Sequence, residues 1–96
     1  MELYQAEWCP HSHKVRQRLT ELGLDFSARQ VAADPDDRDA MERATGKRSI
    51  PVLVADDGEI LEGEEEILPY LERFPDRADA EEHRERSREE VRLFAP

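Results

Sequence analysis

Polar and apolar residues alternate over Glu2-Leu3-Tyr4-Gln5, as they do along a short half-buried strand. Val15, Leu19 and Leu22 then repeat at i, i+4 and i+7, the spacing of one helix face. Gly23 suits the stop of that helix, and Leu24 to Val31, with Phe26 and Val31 among polar residues, predicts a second strand. Ala32-Ala33-Asp34-Pro35-Asp36-Asp37 reads as a loop leading into a second helix, whose apolar positions are Ala40, Met41 and Ala44 and whose stop is Thr45-Gly46. Continuous apolar residues Val52-Leu53-Val54 predict a buried strand, and Pro51 is tolerated at its front edge. Asp56-Asp57-Gly58 is a tight turn, so Glu59-Ile60-Leu61 should return antiparallel. Gly63 ends that strand, and Glu64-Glu65-Glu66 opens a third helix carrying Ile67, Leu68, Tyr70 and Leu71. Three carboxylates in a first turn favour the helix dipole, which accounts for the run without any function.

The order β-α-β, loop, α, β-β-α predicts an α/β domain with a four-stranded mixed sheet and helices on both faces, its first crossover joining parallel strands. Leu3, Phe26, Val52, Leu53, Val54 and Ile60 should lie on the sheet, covered by Val15, Leu19, Leu22, Ile67 and Leu71. From Phe74-Pro75-Asp76 the composition changes. Residues 78 to 92 are mostly Glu and Arg, leaving Val91, Leu93 and Phe94 as anchors. This tail reads as a solvated helix held by i,i+4 Glu/Arg pairs with its end packed back on the domain, or as a frayed end. Residues 1–75 thus form the domain and 76–96 a charged helix or tail.

At 96 residues the chain is one domain near the lower limit for a self-sufficient core. Its 24 acidic and 14 basic residues give a net charge of −10, with a mean hydropathy of −0.87. Such a surface repels phosphate backbones, so nucleic acid is excluded as a partner. Lys14 and Lys47 are the only lysines. An acidic, lysine-poor surface suits a high-salt interior, although an ordinary acidic protein fits the same composition. No apolar run is long enough to cross a membrane and no basic start marks a signal peptide, which makes the cytoplasm the expected location.

One cysteine, Cys9, rules out an internal disulfide, so any redox chemistry passes through another molecule's sulfur. A lone cysteine is most often a small buried hydrophobe. Its place in Trp8-Cys9-Pro10-His11-Ser12-His13-Lys14, where the first strand gives way to the first helix, argues otherwise. Pro10 fits the first helical position, which puts Cys9 at the N-cap. There the sulfur meets unpaired N–H groups and the positive dipole end, which lower a thiol pKa from about 8.5. The expectation is an exposed, activated nucleophile.

Tyr4, Trp8-Cys9-Pro10-His11-Ser12, Thr45-Gly46-Lys47-Arg48-Ser49-Ile50-Pro51 and Gly63-Glu64-Glu65-Glu66, in this order and spacing, resemble the glutaredoxins, and more widely thioredoxin-fold domains such as the N-terminal domain of glutathione transferases. The resemblance covers residues 2 to about 73. It implies a thioredoxin-like fold, a cis Pro51 facing Cys9, and an Ile50 backbone that pairs with the cysteine part of a glutathione-like thiol. It implies that Glu64 supplies an N–H to a γ-glutamyl carboxylate, that Glu65 or Glu66 receives its amino group, and that Arg48, or Lys47, pairs with the far carboxylate. Catalysis would rest on Cys9 within the motif Pro10-His11-Ser12, with no tightly bound cofactor or metal. Glutathione or another γ-glutamyl thiol would be the cosubstrate, glutathionylated or disulfide-containing proteins the partners, and the chain a monomer or weak dimer.

Two departures qualify this. Ser12 stands where dithiol relatives carry a second cysteine, leaving a single-thiol route. Ala6 and Glu7 stand where many relatives carry a lysine, which should raise the thiol pKa unless His11, His13 or Lys14 turns toward the sulfur. Alternatives are a [2Fe–2S] carrier bridging a dimer, against which Pro10 speaks, and a non-catalytic transferase-like binding domain. Zinc at Cys9, His11 and His13 lacks a fourth ligand.

Overall fold

A computed structural model describes residues 1–94, with side chains described through residue 88. Strand β1 (Glu2–Gln5) leads through a turn into helix α1 (Pro10–Leu22), followed by β2 (Ser27–Gln30), a 3₁₀ turn (Pro35–Asp37) and α2 (Asp39–Thr45). Strands β3 (Val52–Val54) and β4 (Ile60–Glu62), then α3 (Glu64–Leu71) and α4 (Ala80–Phe94), complete the chain. The sheet order is β2-β1-β3-β4, with β1 and β2 parallel and the other pairs antiparallel. This is the thioredoxin-like arrangement of a four-stranded mixed sheet.

Register explains the core. Leu3 pairs with Leu53 and Leu53 with Leu61, so one row of leucines crosses three strands on a single face. Val15, Leu19 and Leu22 of α1 and Ile67 and Leu71 of α3 close over that row. The α1 face survives to Leu22 because Gly23, at φ 67°, takes the left-handed turn that ends the helix. Truncating any of the fully buried leucines to alanine costs about 2–5 kcal/mol.

Two expected sheet residues are placed differently. Ile60 is 39% exposed and Leu61 is buried instead. With a period of two, adjacent residues face opposite ways, and the register with Leu53 selects Leu61. Phe26 precedes β2 and is half-buried, while all four β2 residues are exposed. Being an edge strand beside β1 alone, β2 is held by its backbone ladder rather than by apolar side chains.

Helix α4 docks through polar contacts the pattern did not reveal. Glu21 is only 7% exposed, and its carboxylate accepts from Arg18 and Arg84, both at 3.0 Å, and from Gln17 at 3.2 Å. Its carbonyl accepts the Arg77 N–H at 2.9 Å, and Ala80 is buried beside this joint. The expected i,i+4 support is represented by His83 and Asp79, whereas Arg84 reaches back to Asp76 and Glu21. The anchors Val91, Leu93 and Phe94 lie outside the residues whose side chains are described. Among the described residues no helix is long and apolar enough to cross a membrane.

Candidate functional site

Cys9 is the N-cap of α1, with extended backbone (φ −79°, ψ 118°) and Pro10 at the first helical position. Its Sγ accepts the Ser12 N–H at 3.4 Å, and its carbonyl accepts the His13 N–H at 3.0 Å. The cap geometry that aims the sulfur at the helix N–H groups also withdraws it from solvent. Cys9 is 6% exposed, which corrects the expected open sulfur, while Trp8 beside it is 67% exposed.

Burial pushes the Cys9 thiol up, but hydrogen bonding from Ser12, side chain and backbone, the His11 N–H and the Arg16 charge outweigh it and hold the thiol below its ordinary value. Ser12 is fully buried, and its hydroxyl has no well-directed hydrogen-bond partner in the resting geometry. It nevertheless lies close enough to favour a charged sulfur.

The compensating cation is one the sequence reading missed. His11 Nδ1 lies 2.6 Å and Lys14 Nζ 3.4 Å from the Glu64 carboxylate, so both turn to α3 rather than to the sulfur. Arg16 reaches back instead, donating to the Ala6 carbonyl at 3.4 Å and pairing with Glu7 at 3.0 Å. The opposition expected from Glu7 is thereby neutralised. Cys9, Ser12 and Arg16 stand at i, i+3 and i+7, and this spacing was the available signal.

The Ile50–Pro51 peptide bond is cis, and the Pro51 carbonyl accepts the Gly63 N–H at 2.8 Å, tying the loop to the start of α3. Between them lies a cleft of about 380 Å³ lined by His11, Ser49, Ile50, Pro51, Glu62, Gly63, Glu64 and Glu65. It brings together five of the expected residues: His11, Ile50, Pro51, Glu64 and Glu65. Ser49 and Glu62, joined by a side-chain hydrogen bond, are additions to that set. Cys9, Pro10 and Ser12 are not in the cleft wall, where α1 contributes His11. Glu66 turns away to accept the Glu62 N–H at 2.9 Å. Arg48 is committed elsewhere: its guanidinium forks between Asp39 and Glu42 and donates to the carbonyls of Pro35 (3.0 Å) and Asp36 (3.3 Å). Hydrogen bonding from His11, followed by the Lys14 charge, holds the Glu64 carboxyl below the usual carboxylate range against a smaller opposing effect of burial.

A second cleft, about 330 Å³, lies between Tyr4 of β1, β2 and α2 and contains none of the expected site residues. Among the described residues no three His, Cys, Asp or Glu side chains are grouped as metal ligands.

The solved structures most like this one include a glutathione S-transferase from Rhodospirillum rubrum F11, 30% identical with a TM-score of 0.63 over 75% of this chain and 32% of the other. Glutathione S-transferase 1-6 from Anopheles dirus species B gives 25% identity and a TM-score of 0.68 over 82% and 38%. A glutathione S-transferase from Methylobacillus flagellatus, solved with glutathione bound, gives 31% and 0.60 over 73% and 34%. The chain spans about a third of the length of these proteins. A comparison with curated protein sequences gives no match. The family model described as Glutaredoxin matches residues 1–60, well over half of the chain, and the cap cysteine and cis-proline cleft fall within or beside that stretch. This chain is a member of the glutaredoxin family, a glutathione-related protein of thioredoxin-like fold.

Proposed function

We propose that the protein is a single-cysteine thiol–disulfide oxidoreductase that reduces mixed disulfides with glutathione or another γ-glutamyl thiol. The observation that carries this is the Cys9 sulfur at the head of α1, held in its more acidic form by Ser12, His11 and Arg16.

The Cys9 thiolate attacks the small-thiol sulfur of a mixed disulfide. A new S–S bond forms to Cys9, the old one breaks, and the partner protein's sulfur leaves with the electron pair and takes up a proton. A second small-thiol thiolate then attacks the bound ligand's sulfur and releases Cys9 as thiolate, giving the small-molecule disulfide. With Ser12 where a resolving cysteine would stand, the protein itself has no second thiol for the release step. In this reading the Ile50 backbone pairs with the ligand's cysteinyl part and the first N–H groups of α3 take the γ-glutamyl carboxylate, with Pro51 shaping the wall. Glu65 or Glu66 receives the ligand's amino group.

The same reading makes residues 1–75 the catalytic unit, with 76–96 a helix laid on α1, and has the protein act in the cytoplasm on glutathionylated proteins as a monomer or weak dimer. A reduction assay on a glutathionylated peptide tests it. Cys9→Ser should abolish turnover, and equal rates for wild type and Cys9→Ser would overturn the assignment.

A further inference from the structure

The charges around the cleft do not suit every γ-glutamyl thiol equally. Glutathione carries one ammonium group and two carboxylates, so it arrives with net negative charge. The cleft wall already holds Glu62, Glu64 and Glu65. Lys47 faces Glu62 at 3.8 Å, and Lys14 faces Glu64 at 3.4 Å. Glu65 is the wall carboxylate with no cation within ion-pair distance among the described residues. Its carboxylate folds back over Gly63, so closely that a Cβ there would collide with Oε1. Gly63, at φ 81°, is the N-cap of α3, so the protein's own carboxylate covers the helix end where a ligand carboxylate would be received. At the other end of the cleft, Arg48 is fixed by Asp39, Glu42 and two carbonyls.

We propose that this cleft selects, among γ-glutamyl thiols, those that keep the ammonium group and lack the second carboxylate, with Glu65 as the residue that sets the preference. The proposal rests on the thiol-exchange reading and names the ligand class of that site. An ammonium entering the cleft meets the unbalanced Glu65. A carboxylate at the far end meets no free guanidinium and stands near three carboxylates. One unit charge about 4 Å from another in water changes an equilibrium roughly fivefold, and less where solvent screens it. Selection by charge must also fade with salt, since the screening length falls from about 10 Å at 0.1 M to about 3 Å at 1 M.

The probes are glutathione and its glycyl monoethyl ester, which differ by one negative charge. As mixed disulfides of one peptide at low salt, the ester should be reduced with a kcat/KM about threefold to fivefold higher. The gap should close at 1 M salt, and Glu65→Gln should narrow it by improving glutathione rather than by weakening the ester. Titrating the S-methylated forms into Cys9→Ser gives a binding readout that needs no chemistry, and tighter binding of the ester is expected there too. If glutathione equals or exceeds its ester in both measurements, the selection does not exist. If the ester binds better but wild type turns over neither disulfide above Cys9→Ser, the charge preference stands and the oxidoreductase assignment fails. An ester preference unchanged in Glu65→Gln, with the fold intact by circular dichroism, removes Glu65 from the role.

Discussion

Ser12→Ala should make the protein a poorer nucleophile without making it a weaker fold. The Ser12 hydroxyl is fully buried and has no well-directed partner in the resting state, a situation that costs about 1–3 kcal/mol in desolvation. Its use comes when Cys9 ionises, because a hydroxyl so close can turn its hydrogen onto the charged sulfur. A hydrogen bond to a charged group contributes about 1.5 kcal/mol, which corresponds to about a tenfold change in the thiolate-to-thiol ratio. The iodoacetamide alkylation rate of Cys9 at neutral pH should therefore fall about tenfold in Ser12→Ala, and its pH profile should move to higher pH. Urea unfolding at pH 6, where the thiol predominates in both proteins, should give a stability equal to wild type or higher. The linkage has a definite sign. A thiol pKa lowered by folding adds stability that is fully present above the unfolded value of about 8.5 and is lost as pH falls through the folded one, so the variant should gain less than wild type over that interval. An unmoved alkylation profile, or a loss of more than about 1 kcal/mol at pH 6, would refute the argument.

Glu21→Gln removes the carboxylate that joins Arg18 of α1 to Arg84 of α4. Both arginines are partly exposed, so the loss should be about 1–2 kcal/mol rather than the 3–5 of a fully buried pair, read as easier proteolysis within residues 78–94 before the rest of the domain opens. The clasp of His11 and Lys14 on Glu64 predicts an acid limb. Because the Glu64 carboxyl is lowered on folding, its stabilisation is complete above the ordinary carboxylate pKa of about 4.3 and is lost as pH falls through the lowered value. Glu64→Gln should flatten the pH dependence of urea unfolding in that range, and an unchanged slope would contradict the assignment.

The elements were legible because each rests on short-range rules: the α1 stripe Val15-Leu19-Leu22, the turn at Asp56-Asp57-Gly58, and Pro10 fixing Cys9 at the cap. What was not legible depended on contacts distant in sequence. Ile60 and Leu61 are equivalent to any local pattern, and only pairing with Leu53 decides which faces inward. Arg48 stands where a ligand-binding cation is expected, yet Asp39 and Glu42 across the α2 turn claim it. His11 and Lys14, beside the sulfur in sequence, are drawn to Glu64 on another element.

These last exchanges of partner share one cause. With 24 acidic residues against 14 basic ones, nearly every cation meets a carboxylate of its own chain before it can serve a ligand or the sulfur. Arg16 is the informative exception. It too is paired, to Glu7, but the pair lies against the Ala6–Glu7 turn, so its charge still acts on Cys9. A chain with surplus acid thus cannot rely on stray lysines to activate its thiol. The task passes to groups that surplus carboxylates do not take away: the N–H groups at the head of α1, a buried serine hydroxyl, and one arginine anchored by the backbone. Backbone and hydroxyl dipoles at contact distance are also far less screened by salt than a cation several ångströms away, so the ionisation of Cys9 should be steadier in concentrated salt than ligand selection by Glu65.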